Sequence, residues 1–257
     1  MSTVISLLPT AEGVVIGSDG RESGPNLGEI ITDDAQKIFA IDKPGIRLAY
    51  ALFGSIKIGL ANDNVLFDFE QEIAPAVERI GVKKNWWEYL ATLVATLSKD
   101  LNEARETSKT TMDSASTERG TYISIGGYYG KFQKLGHIEF RHGIHDTGAE
   151  PHSYPPGFSF PFGSVKIFDL INSGDPRFAQ YSQPPRKGLT TLSAGIDRVR
   201  QDVLAHYDPQ ALGVDEVTCR GIGGRVQIAT VTIADGFRWV PGFEAISAKP
   251  GGFLGRA

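Results

Sequence analysis

Strand-forming sequence begins at the fourth residue, and that placement constrains the fold more than any other feature of the chain. Val4 to Leu8 is dominated by β-branched and apolar residues, Pro9-Thr10-Ala11-Glu12-Gly13 carries turn chemistry, and Val14 to Ser18 is a second short run. The pattern predicts a hairpin at the very start of the sequence. A Gly/Pro/Asn-rich loop follows from Gly20 to Gly28, and Lys37 to Ile41 and Ile46 to Phe53 predict two further strands around Asp42-Lys43-Pro44-Gly45. The opening 55 residues are thus nearly all β.

The pattern then switches from short apolar runs to apolar residues recurring at intervals of three and four. Leu66, Phe69, Ile73, Val77 and Ile80 mark one amphipathic helix, Leu90, Leu93, Val94, Leu97 and Leu101 a second, and Gly81 separates them. Pro75 predicts a kink or an early stop, since proline inside a helix costs about 3 kcal/mol. The polar stretch Thr107 to Arg119 reads as a loop, and strands return at Thr121 to Gly127 and His137 to Arg141. Seven of the 14 prolines fall between 151 and 185, so an irregular insertion is expected at about 142–187 within a single domain spanning 1–257. Inside it, Val165 to Ile171 fits a strand or a helix. Leu192, Ile196, Val199 and Val203 mark a helix ending before Asp208-Pro209, and Val226 to Ile233 and Phe237 to Val240 flank a hairpin turn. Antiparallel hairpins at both ends with helices grouped between them indicate a layered α+β fold. Two sheets covered by helices on both outer faces would bury every apolar stripe.

Charge and composition narrow the function. Lys and Arg number 26 against 30 Asp and Glu, a net charge of −4, which removes any bulk attraction to nucleic acid or anionic membrane. Cys219 is the single cysteine, so an intrachain disulfide framework and a multi-thiolate zinc site are excluded. No apolar run approaches the roughly 20 residues that span a bilayer. The first residues also lack the basic and apolar regions of a secretory signal, and a cytoplasmic location is expected. Neither cofactor nor metal is expected. His142, His145, Asp146 and His152 match no helical zinc spacing, and Gly221-Ile222-Gly223-Gly224 precedes a strand, without the helix dipole of a phosphate cradle. Turn chemistry accounts for those glycines. Trp86-Trp87 at a helix start fits the core or a subunit contact.

Four blocks carry a family resemblance: Ser2-Thr3-Val4; Gly13 through Ser18-Asp19-Gly20-Arg21; Asp34-Ala35-Gln36-Lys37-Ile38-Phe39-Ala40-Ile41; and Ala49 through Gly54. In order and spacing they resemble strands one to four of a proteasome-type subunit, proteasome β-subunit-like or bacterial proteasome-homologue-like, within the N-terminal nucleophile hydrolase superfamily. The helix pair, Gly126-Gly127 and the final hairpin agree with that layout more loosely. The resemblance implies a four-layer αββα sandwich and amide hydrolysis by the first residue of a processed chain, usually a threonine with its free α-amine as proton acceptor. It assigns the acidic position to Asp19, the flanking arginine to Arg21, the lysine to Lys37, and a backbone oxyanion donor to Ala51. It also implies a homo-oligomeric ring acting on a peptide or protein substrate, with an unfoldase as a possible partner.

The chemistry of these residue types agrees. A Ser or Thr hydroxyl is a weak nucleophile that needs a base, and a terminal amine with a pKa near 8 supplies one at neutral pH. Removal of Met1 before the small Ser2 would give Ser2 both groups, which makes Ser2 the first candidate nucleophile and Thr3 the alternative. Strand alternation predicts that the two side chains face opposite ways, with Thr3 pointing away from the site. The aspartate and serine that the family places before its last hairpin align with Cys219 and Ile222, and Ser164 aligns with another family serine. A non-catalytic scaffold subunit and a small-molecule amidase of the same fold are the alternative readings.

Overall fold

The first hairpin forms where the sequence places it. Strand β1 (Ile5–Pro9) pairs antiparallel with β2 (Val14–Ser18), Ile5 opposite Ser18, and the Thr10 N–H and hydroxyl both donate to the Gly13 carbonyl to close the turn. The computed structural model describes residues 3–24, 29–59, 65–108, 120–141, 149–154, 160–181 and 191–246. Short strands β3 (Glu22–Ser23) and β4 (Ile30–Thr32) pair next. Then β5 (Ile38–Lys43) and β6 (Ile46–Gly54) form a hairpin in which Ile38 lies opposite Ala51. Strands β7 (Lys57–Gly59) and β8 (Val65–Asp68) form another antiparallel pair.

Helix α1 (Phe69–Ile80) begins at Asp68, whose side chain accepts from the Glu70 N–H. Leu66, counted above in the helical stripe, therefore belongs to β8. The helix also runs through Pro75 without the expected early stop, and Ile73, Ala76, Val77 and Ile80 are all buried on its inner face. Burial of that face outweighs the one backbone hydrogen bond proline removes. Helix α2 (Trp86–Thr107) is capped by Asn85. Strands β9 (Thr121–Tyr129) and β10 (Phe132–Phe140) are longer than their apolar runs suggest.

The proline-rich stretch is more regular than expected. Its described residues include β11 (Ala149–Tyr154), β12 (Phe160–Phe162), α3 (Val165–Ser173) and a 3-10 helix, Pro176–Tyr181. Pro176 opens a helical turn, a position where a missing N–H costs little. Helix α4 (Leu192–Ala205) stops before Asp208, and two short helices follow, α5 (Pro209–Val214) and α6 (Glu216–Cys219). The chain then forms the hairpin of β13 (Gln227–Thr232) and β14 (Gly236–Trp239). The fold is α+β with antiparallel sheets.

Two compact units are distinguishable, one of Met1–Ala51, Ile125–Leu135 and Pro155–Ala257, the other of Leu52–Ser124 and Gly136–Tyr154. The first holds a five-stranded sheet of order β12-β1-β2-β13-β14. Every residue of β1 and β2 is buried, so the sheet is covered on both faces at its centre. Helix α4 covers one face, laying Val199 against Leu8, Val15 and Ile228. A Cβ on Gly17 of β2 would lie 2.3 Å from Val199 Cγ1, so glycine permits this close approach. Farther along, Val203 packs with Val4, Phe168 and Ile222. In the second unit α1 packs on α2, and α2 on β8 and β11. There His137 stacks with Phe53, Tyr122 and His152. A further sheet has the order β11-β10-β9-β6-β5. No helix among the described residues is long and apolar enough to cross a membrane.

Candidate active site

Three chain segments of the first unit converge where β1 begins, β2 ends and β5 begins. Thr3 lies two residues before β1, Asp19 immediately follows β2, and Lys37 sits one residue before β5. The β1–β2 register places Val4 beside Asp19, and the two residues are joined in both directions. The Val4 N–H donates to Asp19 Oδ1 at 3.1 Å, and the Asp19 N–H donates to the Val4 carbonyl at 3.3 Å. Lys37 reaches across from its own strand, and its Nζ donates to Asp19 Oδ1 and to Thr3 Oγ1, each at 2.9 Å. The expectation that Thr3 faces away is corrected here. Thr3 lies outside the β1 ladder, so strand alternation does not fix its side chain. Ser2 lies outside the described residues.

Asp19 is fully buried, and Lys37 is 9% exposed. Four donors converge on the carboxylate: Val4 N–H and Lys37 on Oδ1, and the Arg21 and Gly223 N–H groups, both at 3.3 Å, on Oδ2. Burial pushes the Asp19 carboxyl above the ordinary carboxylate range, and the Lys37 ammonium is the largest pull in the other direction. The arrangement holds one ammonium against one hydroxyl in a nearly water-free place. Chemically, such an ammonium lowers the cost of forming an alkoxide at Thr3 Oγ1, and the carboxylate keeps the ammonium aimed.

Arg21 turns away from this centre. Its guanidinium pairs with Asp33, Nε to Oδ1 at 2.6 Å, which raises the Arg21 pKa. Ala51 lies on β6 opposite Ile38, one position along from Lys37, and is buried. Ser164 does something else: it caps α3 and donates to Asp215 Oδ2 at 2.6 Å, with its N–H on His206 Nε2 at 3.1 Å. Cys219 is buried among Ile167, Ile171, Phe178, Ala205 and Ala211, and burial pushes its thiol up to about 11. Ile222 belongs to the apolar cluster around Val4.

Gly223 and Tyr207 are the residues that sequence reasoning missed. The Gly223 carbonyl accepts from the Gly20 N–H at 3.1 Å and from the Tyr207 hydroxyl at 3.0 Å, which holds in place the residue whose N–H reaches Asp19. Desolvation, then the Asp19 charge, push the Tyr207 phenol upward, so it acts as a donor. The signal available was the glycine run 221–224, which suggested a turn and gave no hint of its partner. Among the described residues no three His, Cys, Asp or Glu side chains converge as a metal ion requires. His142, His145 and Asp146 lie outside them. Of the tryptophan pair, Trp86 is buried and Trp87 is exposed.

No family model matches the sequence, and no curated protein matches it. Among solved structures the chain is similar to the Anbu (Gly-1) mutant from Hyphomicrobium sp. strain MC1, with a TM-score of 0.52 and 10% identity over 93% of this chain and 85% of that chain. At that identity the likeness concerns the fold alone.

Proposed function

We propose that this chain is a proteasome-like amide hydrolase in which Thr3, exposed as the first residue of a processed chain, is the nucleophile. The observation that carries the reading is the position of Lys37 Nζ, 2.9 Å from both Thr3 Oγ1 and Asp19 Oδ1. That contact favours Thr3 over Ser2. Cleavage of the Ser2–Thr3 peptide bond would free the Thr3 α-amine as the base. The amine takes the hydroxyl proton as Oγ1 adds to the substrate carbonyl carbon, and Lys37 stabilises the charge on the attacking oxygen. The oxyanion is held by the Ala51 N–H. Collapse of the adduct breaks the C–N bond, the amine delivers its proton to the leaving nitrogen, and water then cleaves the Thr3 ester by the reverse proton path.

The same reading makes the two units one domain with a four-layer αββα architecture, the ring-forming subunit of a cytoplasmic peptidase, with peptides or proteins as substrates. A scaffold reading is favoured by one observation only. Cys219 and Ile222 occupy the places where the family resemblance supplies an aspartate and a serine, and both are buried in apolar clusters. The test is incubation with fluorogenic peptides and with a peptide epoxyketone, followed by mass mapping. Turnover, with an adduct on a peptide beginning at Thr3, is the expected result. Neither turnover nor adduct would make the chain a scaffold.

A further inference from the structure

The loop that delivers Lys37 to the site has almost no sheet pairing of its own. Lys37 precedes the β5–β6 ladder, which starts at Ile38 opposite Ala51. Backbone groups from Asp33 to Lys37 are instead taken up one by one. The Asp33 carbonyl accepts from the Arg225 N–H at 2.9 Å, and the Ala35 N–H donates to the Gly20 carbonyl at 2.8 Å. The Asp34 N–H donates to Thr32 Oγ1 at 3.1 Å, and two further groups go to a single side chain. Gln227 Oε1 accepts from the Lys37 N–H at 3.1 Å, and Gln227 Nε2 donates to the Ala35 carbonyl at 2.6 Å.

We infer that Gln227 is a positioning residue for Lys37. Its side-chain amide imitates a strand neighbour, offering one acceptor and one donor to the last stretch of chain before β5. Both contacts fix which way the amide points, because a flipped amide would set donor against donor and acceptor against acceptor. Gln227 is fully buried on β13, where it lies opposite Ser18, the residue before Asp19. The same side chain therefore ties the lysine's backbone to the strand pair that carries its carboxylate partner. Misplacing a reacting group by 1 Å can cost about a hundredfold in rate, and a lysine with a loose backbone would lose its two 2.9 Å contacts together. Methionine and asparagine variants test this without large changes of volume. Methionine keeps the length and removes both hydrogen bonds, whereas asparagine keeps an amide one methylene too short to bridge both groups.

This inference rests on the proposed catalytic role of Lys37, but its test does not require turnover. In full-length protein labelled with 15Nζ-lysine, the buried Lys37 ammonium should give a slowly exchanging resonance, assigned by its loss in Lys37→Arg. In Gln227→Met it should shift and exchange with water at least tenfold faster, with kcat down tenfold or more and KM within twofold. Should Gln227→Met fail to fold, Gln227→Asn carries the same expectation. Val199→Ala, a destabilised control in the α4 interface, should leave the resonance in place. An unchanged resonance in a folded Gln227 variant, or an equal disturbance in Val199→Ala, would overturn the assignment. Absence of turnover in the wild type would remove the hydrolase reading and leave the resonance to decide this one.

Discussion

Lys37 donates to Asp19 across 2.9 Å with the carboxylate entirely out of water. Each charge is thereby the condition for burying the other. Lys37→Met should abolish hydrolysis and lower stability by about 3–5 kcal/mol, since it strands an uncompensated buried carboxylate. The double variant Lys37→Met/Asp19→Asn should recover part of that stability and none of the activity. Urea denaturation of the two variants checks this, and equal stability losses would show that the pair is not coupled.

Thr3→Ala should remove turnover while leaving the melting temperature within a few degrees, because one half-buried hydroxyl outside the ladder is lost. Thr3→Ser keeps a hydroxyl and should retain measurable activity. Ser2→Ala should process and turn over nearly as the wild type does. Intact mass of the mature chain supplies the second readout, expected to correspond to a start at Thr3. A dead Ser2→Ala beside an active Thr3→Ala would move the nucleophile to Ser2.

His137 makes stability depend on pH. Burial, then the neighbouring His152, lower its pKa to about 4 from an ordinary 6.5. Between those values the unfolded chain binds the proton and the folded one does not. Stability is therefore fully present above pH 6.5 and falls as the pH drops toward 4, by about 3 kcal/mol over the window. His137→Phe keeps an aromatic ring for Phe53 and Tyr122 to stack on and should flatten that decline. Asp19 works with the opposite sign, since its raised folded-state pKa makes ionisation a cost as the pH rises. The comparison must thus be made as a difference between wild type and variant at each pH.

Gly17→Ala tests the closeness of α4 to the sheet. The new Cβ would lie 2.3 Å from Val199 Cγ1, an overlap that should cost about 1–3 kcal/mol. Combining it with Val199→Ala should cost less than the sum of the two single changes. Additive losses by thermal melting would mean that the helix moves off freely.

Strands β1, β2, β5 and β6 were legible because short apolar runs and turn chemistry reinforce each other there, whereas β3, inside the stretch read as a loop, and β4 are only two and three residues long. Helices α2 and α4 were legible too, since their stripes repeat over several turns. Helices α5 and α6, at six and four residues, are too short to display a period. The Asp19–Lys37 pairing could be named only through the family resemblance, since nothing in composition says which of 30 acidic residues meets which base. Gly223 was beyond reach altogether: it is 204 positions from the carboxylate it serves, and it acts through a backbone N–H that every residue but proline possesses. Thr3 was misjudged for a more local reason. Alternation is a property of paired strand, and the ladder stops short of it.

Val4 and Asp19 exchange backbone and side-chain hydrogen bonds in both directions, so the chain is moored one residue inside Thr3. Chain ends are ordinarily the loosest part of a protein. Here a cut ahead of Thr3 would leave a single residue of slack beyond the mooring, too little to swing clear of Lys37. A freshly made amino terminus would inherit the stiffness of the sheet without any refolding, and the act of severing the chain would change its chemistry while leaving its geometry alone.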